Sequence, residues 1–61
     1  MKEGDKVIIK DPYNWHGLTG MTGIVIAVSP AYSMFDPQAQ WVTVKIGEQI
    51  VRYRSMELQN I

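Results

Sequence analysis

The sequence predicts an all-β fold of five short strands joined by two long loops. Three observations carry that prediction. Residues 41–54, WVTVKIGEQIVRYR, alternate about a central Gly47-Glu48 pair, and glycine at the first central position is what a type II′ two-residue turn requires. Two further runs, 6–10 and 22–28, are rich in valine and isoleucine and bounded by turn residues. No segment repeats its apolar residues with the period of a helix.

The hairpin sets its own register. Pairing outward from the turn puts Ile46 opposite Gln49, Val44 opposite Val51 and Val42 opposite Tyr53 on one face. The other face collects Lys45 with Ile50, Thr43 with Arg52 and Trp41 with Arg54. The first set is apolar and belongs against a core; the second is basic, with a tryptophan beside an arginine. A one-residue slip would mix the two sets, so pattern and turn agree.

The remaining elements follow in order. Gly4-Asp5 is a turn leading into the first strand, 6–10, where Val7 and Ile9 share one face and Lys6, Ile8 and Lys10 the other. Lysines on the outer face suit an edge or solvent-facing strand, and Asp11-Pro12 stops it. Residues 11–21, DPYNWHGLTGM, form the first long loop. Gly17, Gly20 and nearby Gly23 are expected to supply positive φ or a bulge where the chain turns back. The second strand, 22–28, presents Ile24, Ile26 and Val28 on one face and Val25 and Ala27 on the other. It is apolar on both, hence central and strongly bent.

Residues 29–40, SPAYSMFDPQAQ, make the second long loop, bounded by Pro30 and Pro37 and carrying Tyr32, Met34 and Phe35. A loop of this length in so small a domain is often functional, although Phe35 or Tyr32 also suits a lid over one end of the fold. After the hairpin, residues 55–58 are short enough for a single 3₁₀ turn, and the last residues have room for a strand paired with the first. The expected inward set is Val7, Ile9, Ile24, Ile26, Val28, Val42, Val44, Val51, Tyr53 and Leu58.

Sixty-one residues make one domain, 1–61, near the lower limit for folding without a disulfide or metal. Cysteine is absent, which removes disulfide frameworks and thiolate zinc sites. Burying core side chains contributes about 1.5–3 kcal/mol each, nearly matched by the cost of ordering the chain. Such a balance favours self-association or docking onto a partner. Six Lys and Arg offset six Asp and Glu, so global charge drives the chain toward neither nucleic acid nor anionic membrane. The start, MKEGDKVIIK, holds no apolar run of signal-peptide length, and no segment approaches a membrane span. A cytoplasmic protein without membrane insertion is the expectation.

Gly4-Asp5-Lys6-Val7, the glycines at 17, 20 and 23, the strand 24–28 and the ending Tyr53-Arg54-Ser55-Met56-Glu57-Leu58 together resemble the SH3-like small barrel, particularly its KOW-type branch. Lys6-Val7, Pro12, Tyr13, Trp15 and Gly23-Ile24-Val25 are also similar to the pattern of photosystem I reaction-centre subunit IV. The resemblance implies a five-stranded SH3-like barrel with its long loops at 11–21 and 29–40 and a 3₁₀ turn near 55–58. It also implies a binding scaffold, because barrels of this kind host many unrelated activities.

Two surfaces are candidates for that binding. The outer hairpin face, Trp41, Thr43, Lys45, Arg52 and Arg54, combines an aromatic with cations, as surfaces for nucleic acid or an acidic partner do. A local cation–π pair of Trp41 with Arg54 is the plainer account. The loop cluster Tyr13, Trp15 and His16, with Tyr32, Phe35 and Trp41, offers large amphipathic aromatics of the kind that mark recognition sites. The same rings would also serve as covers for the open end of the barrel. His16 is the sole histidine and the carboxylates are scattered, so neither a metal, nor a catalytic residue, nor a cofactor is expected. Glycines 17, 20 and 23 fit no phosphate-cradling motif.

The expected function is therefore a non-catalytic accessory module that docks a protein partner through the hairpin face and the aromatic loops. A KOW-like RNA- or DNA-binding module is the alternative. A third possibility is an oligomeric pore enzyme, because Ile50-Val51-Arg52-Tyr53 loosely resembles the Val-Gln-Ile-Tyr segment of plasmid-type dihydrofolate reductase.

Overall fold

The structure, a computed structural model, describes residues 1–31, 34, 35 and 37–61. Five antiparallel strands form one sheet: β1 (Lys6–Ile9), β2 (Thr22–Pro30), β3 (Gln40–Ile46), β4 (Gln49–Arg54) and β5 (Leu58–Asn60), with a 3₁₀ turn over Ser55–Glu57. The strand order is β4-β3-β2-β1-β5. An all-β chain with this order is consistent with a small barrel-like fold.

The hairpin has the register expected from its sequence, from Ile46 opposite Gln49 to Trp41 opposite Arg54. Gly47 has φ +62° while Glu48 stays out of the left-handed region, which is the type II′ signature. The 3₁₀ turn and the final strand also form where expected, with β5 pairing β1 through Ile9 and Leu58. The connections differ slightly in extent. The first spans 10–21, and β2 runs on to Pro30, shortening the second to 31–39. Proline ends a strand without loss because it only lacks a donor there, and Ala31 N–H still bonds the Ala39 carbonyl at 3.0 Å.

The core consists of Val7, Ile9, Leu18, Val25, Val42, Val44, Ile46, Tyr53 and Leu58, with Met1, Val28 and Val51 packed against it. Two residues expected inside are not there. Ile24 is 42% and Ile26 39% exposed, and Val25 is buried instead. The cause is a β-bulge. Val25 pairs with Val44 and Ala27 with Thr43, leaving Ile26 as an extra residue between them. One inserted residue reverses the alternation, so Val25 and Val28 both point inward although they are three apart. Leu18 and Ile46 complete the core from a loop and a strand end.

Gly23 was expected to give the backbone positive φ or a bulge; it gives space instead. A Cβ built on it would stand 2.5 Å from Val44 Cγ1, 2.7 Å from Ile46 Cγ1 and 2.8 Å from the Lys45 carbonyl oxygen. The missing side chain lets β2 approach β3 closely where both face the core. Positive φ is found at Gly17 and Gly20, as the loop requires.

Candidate functional site

The loop that follows β1 is organised by one buried carboxylate. Asp11 is 1% exposed. Its Oδ1 accepts the Tyr13 N–H at 3.0 Å and its Oδ2 the Trp15 N–H at 3.1 Å. This is the turn-forming behaviour of aspartate, extended over two successive donors. The Asp11 carbonyl accepts the Thr19 hydroxyl at 2.7 Å, and Asn14 Oδ1 accepts the Thr19 N–H at 3.0 Å. Asn14 takes φ +52°, a conformation asparagine tolerates better than most residues. Leu18 then drops into the core, and Gly20 N–H returns to the Ile9 carbonyl at 2.9 Å. The loop is hydrogen-bonded from end to end.

Its aromatic side chains do not cover the fold. Tyr13 is 77% and Trp15 78% exposed, with ring centroids 6.4 Å apart and planes tilted by 43°. His16 packs edge-on against Tyr53, at 5.2 Å and 90°, and so ties the loop to β4. Polar backbone bonds and one histidine hold the aromatic pair in position while leaving it exposed.

Across from the pair lie the end of β4 and the 3₁₀ turn. The turn is pinned from three directions. Lys10 N–H bonds the Glu57 carbonyl at 2.7 Å, Gln40 N–H reaches Ser55 Oγ at 3.3 Å, and Arg54 N–H donates to Glu57 Oε1 at 3.0 Å. Between loop and turn runs a groove of about 740 Å³, within the range of ligand-binding clefts. Tyr13, Trp15 and His16 line one side, with Arg52, Tyr53, Arg54 and Met56 on the other. Met56 is itself exposed.

The two surfaces expected from the sequence therefore meet. Arg54 lines the groove and places its guanidinium carbon 5.3 Å from the Trp41 ring centroid. Trp41 is half-buried and engaged in that cation–π contact; the plainer account of this pair is the observed one. Thr43 and Lys45 lie further along the outer face of β3, opposite Arg52 and Ile50, outside the groove lining. Phe35 is fully exposed rather than a lid, and Tyr32 lies outside the described residues. Sequence reasoning missed Asp11 as organiser and Met56 as wall. An aspartate two residues before the first loop aromatic was the available signal for the former.

Tyr53 sits beneath the groove, and its phenol is pushed above the usual value of 10.0, first by burial, then by the charges of Asp11 and Glu57. A folded-state phenol that resists ionisation binds its proton more tightly than the unfolded chain does. Stability should accordingly be unaffected by this group below pH 9 and fall as pH rises through 10. In Tyr53→Phe that alkaline decline should be reduced, as seen in urea midpoints at pH 8 and 11; an unchanged decline would assign it elsewhere.

Among the described residues no group of His, Asp and Glu side chains is placed to hold a metal, and no helix is long and apolar enough to cross a membrane. Comparison of the sequence with protein-family models, with curated proteins and with solved structures returns no match.

Proposed function

We propose that this chain is a non-catalytic protein-interaction module on an SH3-like barrel, docking its partner through the groove between loop 10–21 and the β4–3₁₀ junction. One observation carries the reading: Tyr13 and Trp15 stay exposed although the loop beneath them is fixed by a buried carboxylate. An aromatic pair held rigid at the surface loses little entropy on contact and offers a large apolar area. A loop needed only to connect two strands has no such requirement.

Trp15→Ala should leave the thermal midpoint nearly unchanged, because exposed substitutions usually alter stability by less than about 0.5 kcal/mol. It should weaken partner binding by at least about tenfold, the effect of losing an interface anchor. Retention of full affinity by Trp15→Ala and Tyr13→Ala would remove the groove from the interface.

A KOW-like nucleic-acid module is the second reading, favoured by Lys45, Arg52 and Arg54 sharing the outer face of the hairpin. It requires a steep loss of affinity with salt and abolition by Arg52→Ala combined with Arg54→Ala. Zero formal charge and the engagement of Trp41 by Arg54 weigh toward the protein partner.

A further inference from the structure

The charges around the groove are used unequally. Both oxygens of Asp11 accept backbone N–H groups from the loop, and Glu57 Oε1 accepts that of Arg54. Asp11 is buried, whereas Arg52 and Arg54 are exposed. Among the described residues neither guanidinium forms an ion pair, and that of Arg54 lies over the face of Trp41. The groove thus satisfies its carboxylates internally and presents its cations outward. Arg52 and Arg54 stand two residues apart on β4, one of the two edge strands of the sheet. Their spacing, about 6.6–6.8 Å along the strand, equals that between alternate side chains of any extended chain lying beside it.

We infer that the groove takes an extended segment of a partner protein with carboxylates on alternate residues followed by a large apolar residue. The carboxylates meet Arg52 and Arg54, and the apolar side chain lies against Tyr13 and Trp15. This rests on the interaction-module reading and adds the chemistry of the occupant. Guanidinium–carboxylate contacts supply direction and register, and the aromatic pair supplies contact area. A nucleic-acid strand fits less well. Two cations neutralise few phosphates, and a continuous phosphate chain would also pass Asp11 and Glu57 on the groove wall.

The test is a ¹⁵N chemical-shift titration of the 61-residue chain with three probes. The first is the capped peptide Gly-Glu-Ser-Glu-Ser-Leu-Leu-Gly; the second has glutamine for both glutamates; the third is hexathymidylate. The acidic peptide should shift Tyr13, Trp15, Arg52, Arg54 and Met56, and the glutamine peptide should bind about tenfold more weakly. Arg52→Gln with Arg54→Gln should bring the two peptides to equal affinity, with a thermal midpoint close to wild type. Equal binding of both peptides to the wild type would overturn the inference and leave the groove as a docking site. Failure of both peptides to move the groove would overturn both readings. Shifts caused by hexathymidylate alone would replace them with nucleic-acid binding.

Discussion

Gly23→Ala is expected to destabilise the domain by about 1–3 kcal/mol, the usual range for overpacking a filled core. For a domain of this size each kcal/mol lowers the thermal midpoint by about 4–8 °C, which a circular-dichroism melt resolves. The reason is local. A methyl group would meet Val44 and Ile46 side-chain carbons and the Lys45 carbonyl oxygen, all within 2.8 Å. The side chains have some freedom to yield. The carbonyl belongs to a paired strand and cannot move without disturbing the β2–β3 ladder. Adding Val44→Ala removes one obstacle but not the carbonyl, so the double variant should be less destabilised than the sum of the single variants. Simple additivity would show that this part of the interface has slack.

Asp11→Ala is expected to cost about 2–3 kcal/mol, because a buried acceptor of two N–H bonds disappears and both donors lose their partner. Unlike Gly23→Ala, its damage should be concentrated in the loop. Amide exchange at Tyr13 and Trp15 should become fast while the amides of β3 keep most of their protection, since loops open locally at lower free energy than core strands. Asp11→Asn retains one carbonyl acceptor and should fall between the two. Any ligand of the groove should bind Asp11→Ala more weakly even where the protein remains folded, because the aromatic pair would then have to be ordered on binding. Protected Tyr13 and Trp15 amides in folded Asp11→Ala would mean that other contacts hold the loop.

Much of the sheet was legible because local signals agreed. In the hairpin, turn chemistry and alternation specify a single register, and that register is found. In β2 they do not. Ile24, Val25, Ile26, Ala27 and Val28 are all apolar, so either parity looks acceptable and nothing local marks Ile26 as the bulged residue. Its position depends on the pairing with β3. Leu18 was obscured differently: a single apolar residue among glycines and polar residues carries no period, although the loop folds around it.

The candidate site divides along the same line. Tyr13, Trp15 and His16 are neighbours in sequence and were recognisable as a cluster. Their counterparts Arg52, Arg54 and Met56 lie some forty positions later and join them through the β1–β5 pairing, the 3₁₀ turn and the packing of His16 on Tyr53. The role of Asp11 was hidden by Pro12, which makes the pair read as a strand stop. The stop is real, but the carboxylate also fixes the loop that follows it.

The proposed function requires that the groove be the surface this domain uses. The most direct measurement selects ligands for the folded domain from a random peptide library, then maps the enriched peptides by ¹⁵N chemical shift. The predicted result is a contiguous set of shifts at Tyr13, Trp15, Arg54 and Met56, lost in Trp15→Ala. Shifts confined to the outer sheet around Ile24, Lys45 and Ile50, with Trp15→Ala binding as well as wild type, would contradict it.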